Sequence, residues 1–375
     1  MKPDNAHDDK GGDGPAGHRR RARYAGTHPR RFDQRYKELN PERYPEIQDH
    51  VRAQGRTPAG THVPVMVNEV LDALRPAPGD VVADCTLGNG GHAAALLERI
   101  GPTGRLIGLD VDAAQLQRTG ERLGGMIYVD ANGRAGAAPP RISLHRCHFG
   151  GLGKVLGREG LDGFNVILAD LGVSSMQLDD PARGFSYKYD GPLDMRMDDR
   201  LTRTAADLLG SLSVDELSNG LAELADEPDH VRIARAVVER RRVEPITRTR
   251  QLARLILTAK GRRPCAAGRP VMASSAERHP VARTFQALRM MVNDEMGGLE
   301  QFLRSAPYCL RGGGRMGIIS FHSGEHRRVE SAFNEAMRTG LFSVVSEQPV
   351  CPTPGEVRDN PRSRSARLYG AQKTP

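Results

Sequence analysis

A chain of 375 residues with 38% hydrophobic side chains can bury a large core, and its length fits two or three domains. Its formal charge of +8 and pI near 9.4 point to a polyanionic partner. The five cysteines form no Cys-x-x-Cys pair, which argues against a zinc module and a secreted disulfide framework; no metal is expected, even where His145, Cys147 and His148 lie close together. No run approaches the roughly 18 apolar residues of a membrane span, and the N-terminus lacks a signal-peptide core. A soluble, cytoplasmic protein without a membrane partner is expected.

Residues 1–60 carry 13 Lys/Arg against 9 Asp/Glu and few aliphatic side chains. Such a segment cannot offset its ordering entropy by burial, so it reads as a basic, largely disordered arm, with one docked helix near Phe32–Leu39. Contact with RNA phosphates and a solvated tail are equally compatible with it.

Globular composition begins at Thr61. A helix is expected over Asn68–Leu74, with Val67, Val70, Leu71 and Leu74 on one face and Pro76 closing it. Val81–Ala83 then reads as a buried strand, Gly88, Gly90 and Gly91 as a bare-backbone bend, and Ala93–Leu97 as the start of a helix. A flat or anionic ligand can approach the amide groups at such a bend. Gly104–Asp110 reads as a second strand ending in an acid, about 20 residues beyond the bend, where nucleotide-binding units place a ribose ligand. A dinucleotide fingerprint would need glycine where Ala93 stands. The pattern therefore favours a nucleoside cofactor without phosphates, such as S-adenosylmethionine, over NAD.

A helix at Ala113–Leu123, a surface insertion over Gly124–Pro140 and a third strand at Arg141–Leu144 follow, with Phe149 just beyond. Phe164–Asp170 is a fourth strand, so Asp84, Asp110 and Asp170 are expected on one rim of a parallel sheet. Residues 178–282 change to charged helices: Ser213–Glu216 is a capping box, and Pro228–Arg263 carries 11 Lys/Arg against 3 Asp/Glu, broken at Pro245. That excess favours phosphate contacts. The sheet pattern then resumes with a long helix from Phe285 to Leu303, kinked at Gly297–Gly298. A turn at Gly312–Gly314, a fifth strand at Arg315–Ser320 and final strands near Phe342–Val345 and Ala366–Tyr369 complete it.

Several blocks share one order: His62–Val65, Thr86–His92, Asp170–Ser175, Gln177–Asp180, Arg183–Ser186, Asp190–Asp198, His279–Pro280, Arg283–Arg289 and Asn360–Ser365. Together, from Thr61 to about Leu368, they resemble the RsmH (MraW) family of bacterial methyltransferases acting on N4 of a cytidine in 16S rRNA. The resemblance implies an α/β class I S-adenosylmethionine-dependent fold, a Rossmann-like doubly wound sheet with an inserted all-helical domain. Its two sheet parts would be residues 61–177 and 283–375, with the substrate-recognising insertion at 178–282. Carried over by motif, Gly90, Gly91, His92, Asp110, Phe149, Asp170 and Gln177 would contact S-adenosylmethionine. The partner would be 16S rRNA in the small ribosomal subunit; a homodimer is left open. The chain departs from the family pattern at Cys85, Leu87 and Ala93, and at Gly324–Glu325–His326, where the family usually reads Leu–Glu–Asp.

Two roles fit Asp170, an acceptor for an N4–H proton or a contact to the donor's methionine amine. His322, after the fifth strand, is either a proton relay or base contact in the same pocket or a histidine tied to backbone. Asp194 and Arg196 either pair or hold RNA. The alternatives to an enzyme of this kind are a non-catalytic RNA-binding ribosome-assembly factor on the same fold and a nicotinamide dehydrogenase. Donor titration separates both from the methyltransferase reading.

Overall fold

The computed structural model describes residues 64–128, 140–262 and 279–375. The arm, His62, Val63, Cys265 and most of the expected Gly124–Pro140 insertion lie outside the described residues. Helix α1 (Val67–Leu74) precedes strand β1 (Val81–Asp84), helix α2 (Gly91–Ile100), strand β2 (Arg105–Asp110), helix α3 (Ala113–Leu123) and strands β3 (Met126–Tyr128) and β4 (Ile142–Arg146). Helix α4 (Leu152–Glu159), strand β5 (Phe164–Asp170) and the short helix α5 (Ser175–Asp179) lead to four further helices: α6 (Ala205–Ser211), α7 (Val214–Ala225), α8 (His230–Arg241) and α9 (Thr249–Ala259). Helices α10 (Ala282–Asn293) and α11 (Glu295–Ser305) return the chain to strand β6 (Leu310–Ser320). Helix α12 (Ser323–Arg338), strand β7 (Phe342–Val345), helix α13 (Pro354–Asp359) and strand β8 (Arg367–Lys373) finish it.

The eight strands lie in the order β3-β4-β2-β1-β5-β6-β8-β7. All pairings from β3 to β6 are parallel, and β8 is antiparallel to both β6 and β7. β1 is buried along its length because helices cover both faces. Ala83, Ile107, Ile167 and Ile318 face one side with Leu299, Phe302 and Phe333. Val82, Leu106, Leu168 and Ile319 face the other with Val70, Leu74, Leu96 and Ile100. Successive strands pass from β1 to β2 and β4, then return to β5 on its opposite side. This reversal opens a crevice at the carboxyl ends of β1, β2 and β5. The arrangement is the class I, Rossmann-like doubly wound sheet.

A second apolar cluster forms the helical body, gathering Leu208, Leu221, Ile233, Val237, Leu252 and Ile256 with Phe285 and Leu288 of α10. The expected capping box holds: Ser213 Oγ accepts from the Glu216 amide at 3.2 Å and Glu216 Oε2 accepts from the Ser213 amide at 2.8 Å.

Four local expectations are corrected. The long helix does not kink at Gly297–Gly298; it breaks at Asp294, a left-handed residue with φ 46°, where α10 leaves the helical body and α11 packs on the sheet. Gly298 serves close approach instead, since a Cβ there would lie 2.1 Å from His148 Cε1. Gly312–Gly314 belongs to β6, whose pairing with β5 carries a register shift there. Part of the expected insertion is strand β3, added to the sheet edge beside Ser143–His145. The last strand begins at Arg367 and runs on to Lys373.

Phe302 is fully buried and meets Phe149 edge-on at 5.5 Å, which ties the crevice wall to the core. Phe302→Ala is expected to lower stability by about 3–5 kcal/mol, the usual cost of a phenylalanine-sized core cavity, as measured by denaturant unfolding.

Candidate active site

The crevice is a cleft of about 630 Å³ whose wall includes Gly88, Gly91, His92, Asp110, Phe149, Asp170 and Gln177. Six of the eight residues expected to hold a donor or act on it line this cleft; Gly90 and His322 do not. Gly88 and Gly90 take left-handed φ of 48° and 66°, and α2 starts without a side-chain cap. Its first amides are therefore left for a ligand. Gly91 is pressed against Pro64, where a Cβ would come to 2.8 Å, and Gly90 packs behind the wall on Thr119. His92 reaches back through Nε2 to the Val65 carbonyl at 2.8 Å, with Nδ1 3.7 Å from Asp170 Oδ2.

Three acids meet at this rim. Asp110 accepts from the Gly88 amide at 2.8 Å and the Asp112 amide at 2.9 Å, which fixes the carboxylate under the bend. Burial nevertheless pushes its pKa up to about 6. Asp84 accepts from the Thr86 amide at 3.2 Å, its Oδ2 has no partner, and burial raises it to about 7. The Asp170 amide donates to Thr86 Oγ1 at 2.6 Å, while its buried Oδ1 has no partner. Burial, then the charges of Asp84 and Glu325, push the Asp170 carboxyl well above the usual range. A cationic ligand would relieve all three by favouring their ionised forms. The orphaned Asp170 oxygen on the wall and the uncapped helix start fit a donor that carries a sulfonium and an ammonium but no phosphate.

Donor binding should therefore depend on pH. If Asp110 holds the donor's ribose, affinity is expected to fall as pH drops through about 6, because a protonated carboxyl cannot accept both hydroxyls. Titration calorimetry at pH 6 in buffers of different ionisation enthalpy should show proton release on binding. The sign for the unliganded protein is opposite: carboxyls raised by folding contribute stability at low pH and lose it as pH rises through about 6 to 7.

The Phe149 ring lies 4.0 Å from that of His148, tilted by 34°, and His148 Nδ1 accepts from the Gly150 amide. His145 turns elsewhere, its Nε2 2.7 Å from Glu159, so the three neighbouring His and Cys side chains do not converge. Gln177 lines the cleft with its amide already engaged: Oε1 accepts from the Ser174 amide and Nε2 donates to Asp112 Oδ2, both at 3.0 Å. Arg183 Nη1 donates to the same Asp112 oxygen at 2.7 Å and its Nη2 to the carbonyls of Arg196 and Met197. Burial opposes ionisation of Asp112, yet Gln177 and Arg183 hold its pKa below the usual range. Sequence reasoning passed over this latch between rim and helical body, although Asp112 stands at N-cap spacing before Ala113–Leu123.

Of the two readings open for His322, the structure shows the histidine tied to backbone. It caps α12, its Nδ1 accepting from the Glu325 amide at 3.4 Å and its Nε2 lying 3.1 Å from Glu325 Oε1. Glu325, not His322, is on the cleft wall. Burial alone would raise the Glu325 carboxyl, but its pairing with His322 and the Phe321 amide holds it low. In the departing triplet, His326 turns to Ser320 Oγ at 2.7 Å, and burial pushes it down to about 4, leaving it neutral. Asp194 and Arg196 resolve into a mutual two-point ion pair, with bonds of 2.7 and 2.8 Å.

The reversed parallel sheet, glycine bend and ribose-spaced acid define a class I methyltransferase. The chain belongs to the MraW methylase family, whose model matches residues 59–374. The ribosomal RNA small subunit methyltransferase H 1 of Lachnoclostridium phytofermentans is 40% identical over 357 residues, covering 95% of this chain and 93% of that protein. The ribosomal RNA small subunit methyltransferase H of Acidothermus cellulolyticus is 42% identical over 333 residues, covering 84% and 94%. Among solved structures, Aeropyrum pernix fibrillarin with natively bound S-adenosyl-L-methionine aligns at 10% identity with a TM-score of 0.33, over 81% of this chain and 74% of that one.

Proposed function

We propose that this protein transfers the methyl group of S-adenosylmethionine to the N4 amine of a cytidine in 16S rRNA of the small ribosomal subunit. The observation that carries the reading is the meeting of Asp110 and Asp170 with the glycine bend around one cleft, with Asp84 buried at the end of β1. When bound, S-adenosylmethionine supplies a methyl group on a positively charged sulfur. Asp110 would take the ribose hydroxyls, Phe149 the adenine, and the amide of Gly91 with His92 and Gln177 the remainder of the donor.

The cytosine amine is a weak nucleophile because its lone pair is shared with the ring. Residues on the far wall must hold it in line with the methyl group, and such positioning can supply much of the barrier reduction. Asp170 accepts the N4–H proton through the otherwise unpartnered Oδ1, and its raised pKa makes it a better base than an ordinary carboxylate. His322 acts at one remove, as the group that keeps Glu325 ionised beside the cleft. The helical insertion at 178–282 holds the RNA backbone, a reading supported by the exposed Arg232, Arg235, Arg242 and Arg254 on α8, α9 and their link.

Mass-spectrometric nucleoside analysis of 16S rRNA from cells with and without the protein tests this reading. N4-methylated cytidine is expected to disappear with the protein; its persistence would overturn the assignment.

A further inference from the structure

The cleft wall carries charges of both signs, Lys154, Arg304 and Arg362 as well as its acids. On the side of β2 and β5 it presents Asp110 and Asp170. Beyond β6 it reaches the turn before β8, where Asn360 and Arg362 line it. Asp179 at the end of α5 accepts from Arg362 Nη2 through both oxygens, at 3.0 and 3.1 Å, which fixes the guanidinium. Its buried Nη1 has no hydrogen-bond partner. Arg358 and Arg364 flank it on the surface, both exposed and free of ion pairs among the described residues.

The strand that follows this turn starts far from Asp110. In the order β2-β1-β5-β6-β8, Asp110 and the start of β8 are four strand spacings apart, about 19 Å. Asp170, at which the methyl group must be transferred, stands midway. The turn that carries Arg362 thus ends on the side of Asp170 away from Asp110. A guanidinium pinned by one carboxylate, with a spare N–H edge, suits an anionic oxygen.

We propose that the turn at Asn360–Ser365 is a phosphate-binding lip for the RNA substrate. Arg362 holds the phosphodiester of the target cytidine so that its base enters the cleft, and Arg358 and Arg364 hold neighbouring phosphates. This rests on the cleft being a nucleotide methylase site, and Arg362 acts as a positioning residue that touches the substrate away from the reacting atoms.

The test uses the full chain, S-adenosylmethionine and 16S rRNA substrate, with transfer by the unaltered protein established first. Failure at that stage would sink the methylase reading itself. Arg362→Gln is expected to raise KM for RNA about tenfold or more, as loss of a charge-assisted hydrogen bond does, with donor affinity by calorimetry unchanged. Arg362→Lys should restore part of the loss. The surface variants Arg358→Gln and Arg364→Gln, which touch no core group, should each reduce the slope of log affinity against log salt by about 0.7 on single-stranded RNA. An unchanged KM and salt slope in all variants overturns the lip. So does a fall in donor affinity in Arg362→Gln, which would assign Arg362 to the donor's carboxylate.

Discussion

Asp170→Asn is expected to lower turnover at saturating donor and RNA by about 10² to 10⁴, the range lost with a general base, while donor affinity changes less than tenfold. The side chain ends β5 at the cleft wall. Its backbone is fixed by the Thr86 hydroxyl, so the amide replacement keeps the geometry and removes only the basicity. Thermal melting should show no loss of stability, since the variant removes a buried carboxyl that is costly to ionise. Separate measurement of donor binding and single-turnover rate decides between the two roles. Intact turnover at saturation with weakened donor binding would make Asp170 a contact to the donor's amine and remove the base.

Asp110→Asn should give the reverse pattern. Each ribose hydroxyl bonded to a carboxylate is worth about 1.5–3 kcal/mol, so loss of the charge is expected to weaken donor binding by roughly 10² or more. Turnover at saturating donor should stay within a few-fold, because Asp110 is two strands from Asp170. The asparagine oxygen can still accept from the Gly88 amide, which keeps the bend in place. Calorimetry with the donor and with its demethylated product checks both statements. Equal affinity for variant and parent would place the ribose elsewhere in the cleft.

Most of the sheet was legible because its strands are short apolar runs that end in acids, and Val81–Asp84, Arg105–Asp110 and Phe164–Asp170 fall where that pattern puts them. Boundaries set by tertiary contact were not. The break at Asp294 depends on α10 and α11 serving different cores, which no local propensity encodes, and the glycines nearby pointed to the wrong residue. β3 escaped notice because three residues at a sheet edge leave too little pattern to read. In the cleft, motif and spacing located Asp110, Phe149 and Asp170, whereas the exchange of His322 for Glu325 on the wall turns on one helix cap. Asp112 and Arg183 are far apart in sequence and meet only when the helical body docks on the rim.

The placement of the helical body inside the sheet domain also shapes how the molecule comes to be made. Ile167 of β5 pairs with Met316 of β6, so the central ladder waits until the whole intervening helical unit has been synthesised. Until then a nascent chain presents the β5 edge unpaired, with Val166, Ile167 and Leu168 uncovered, a template for wrong pairing. Such late, distant closure favours slow folding and leaves this edge exposed in truncated or stalled chains.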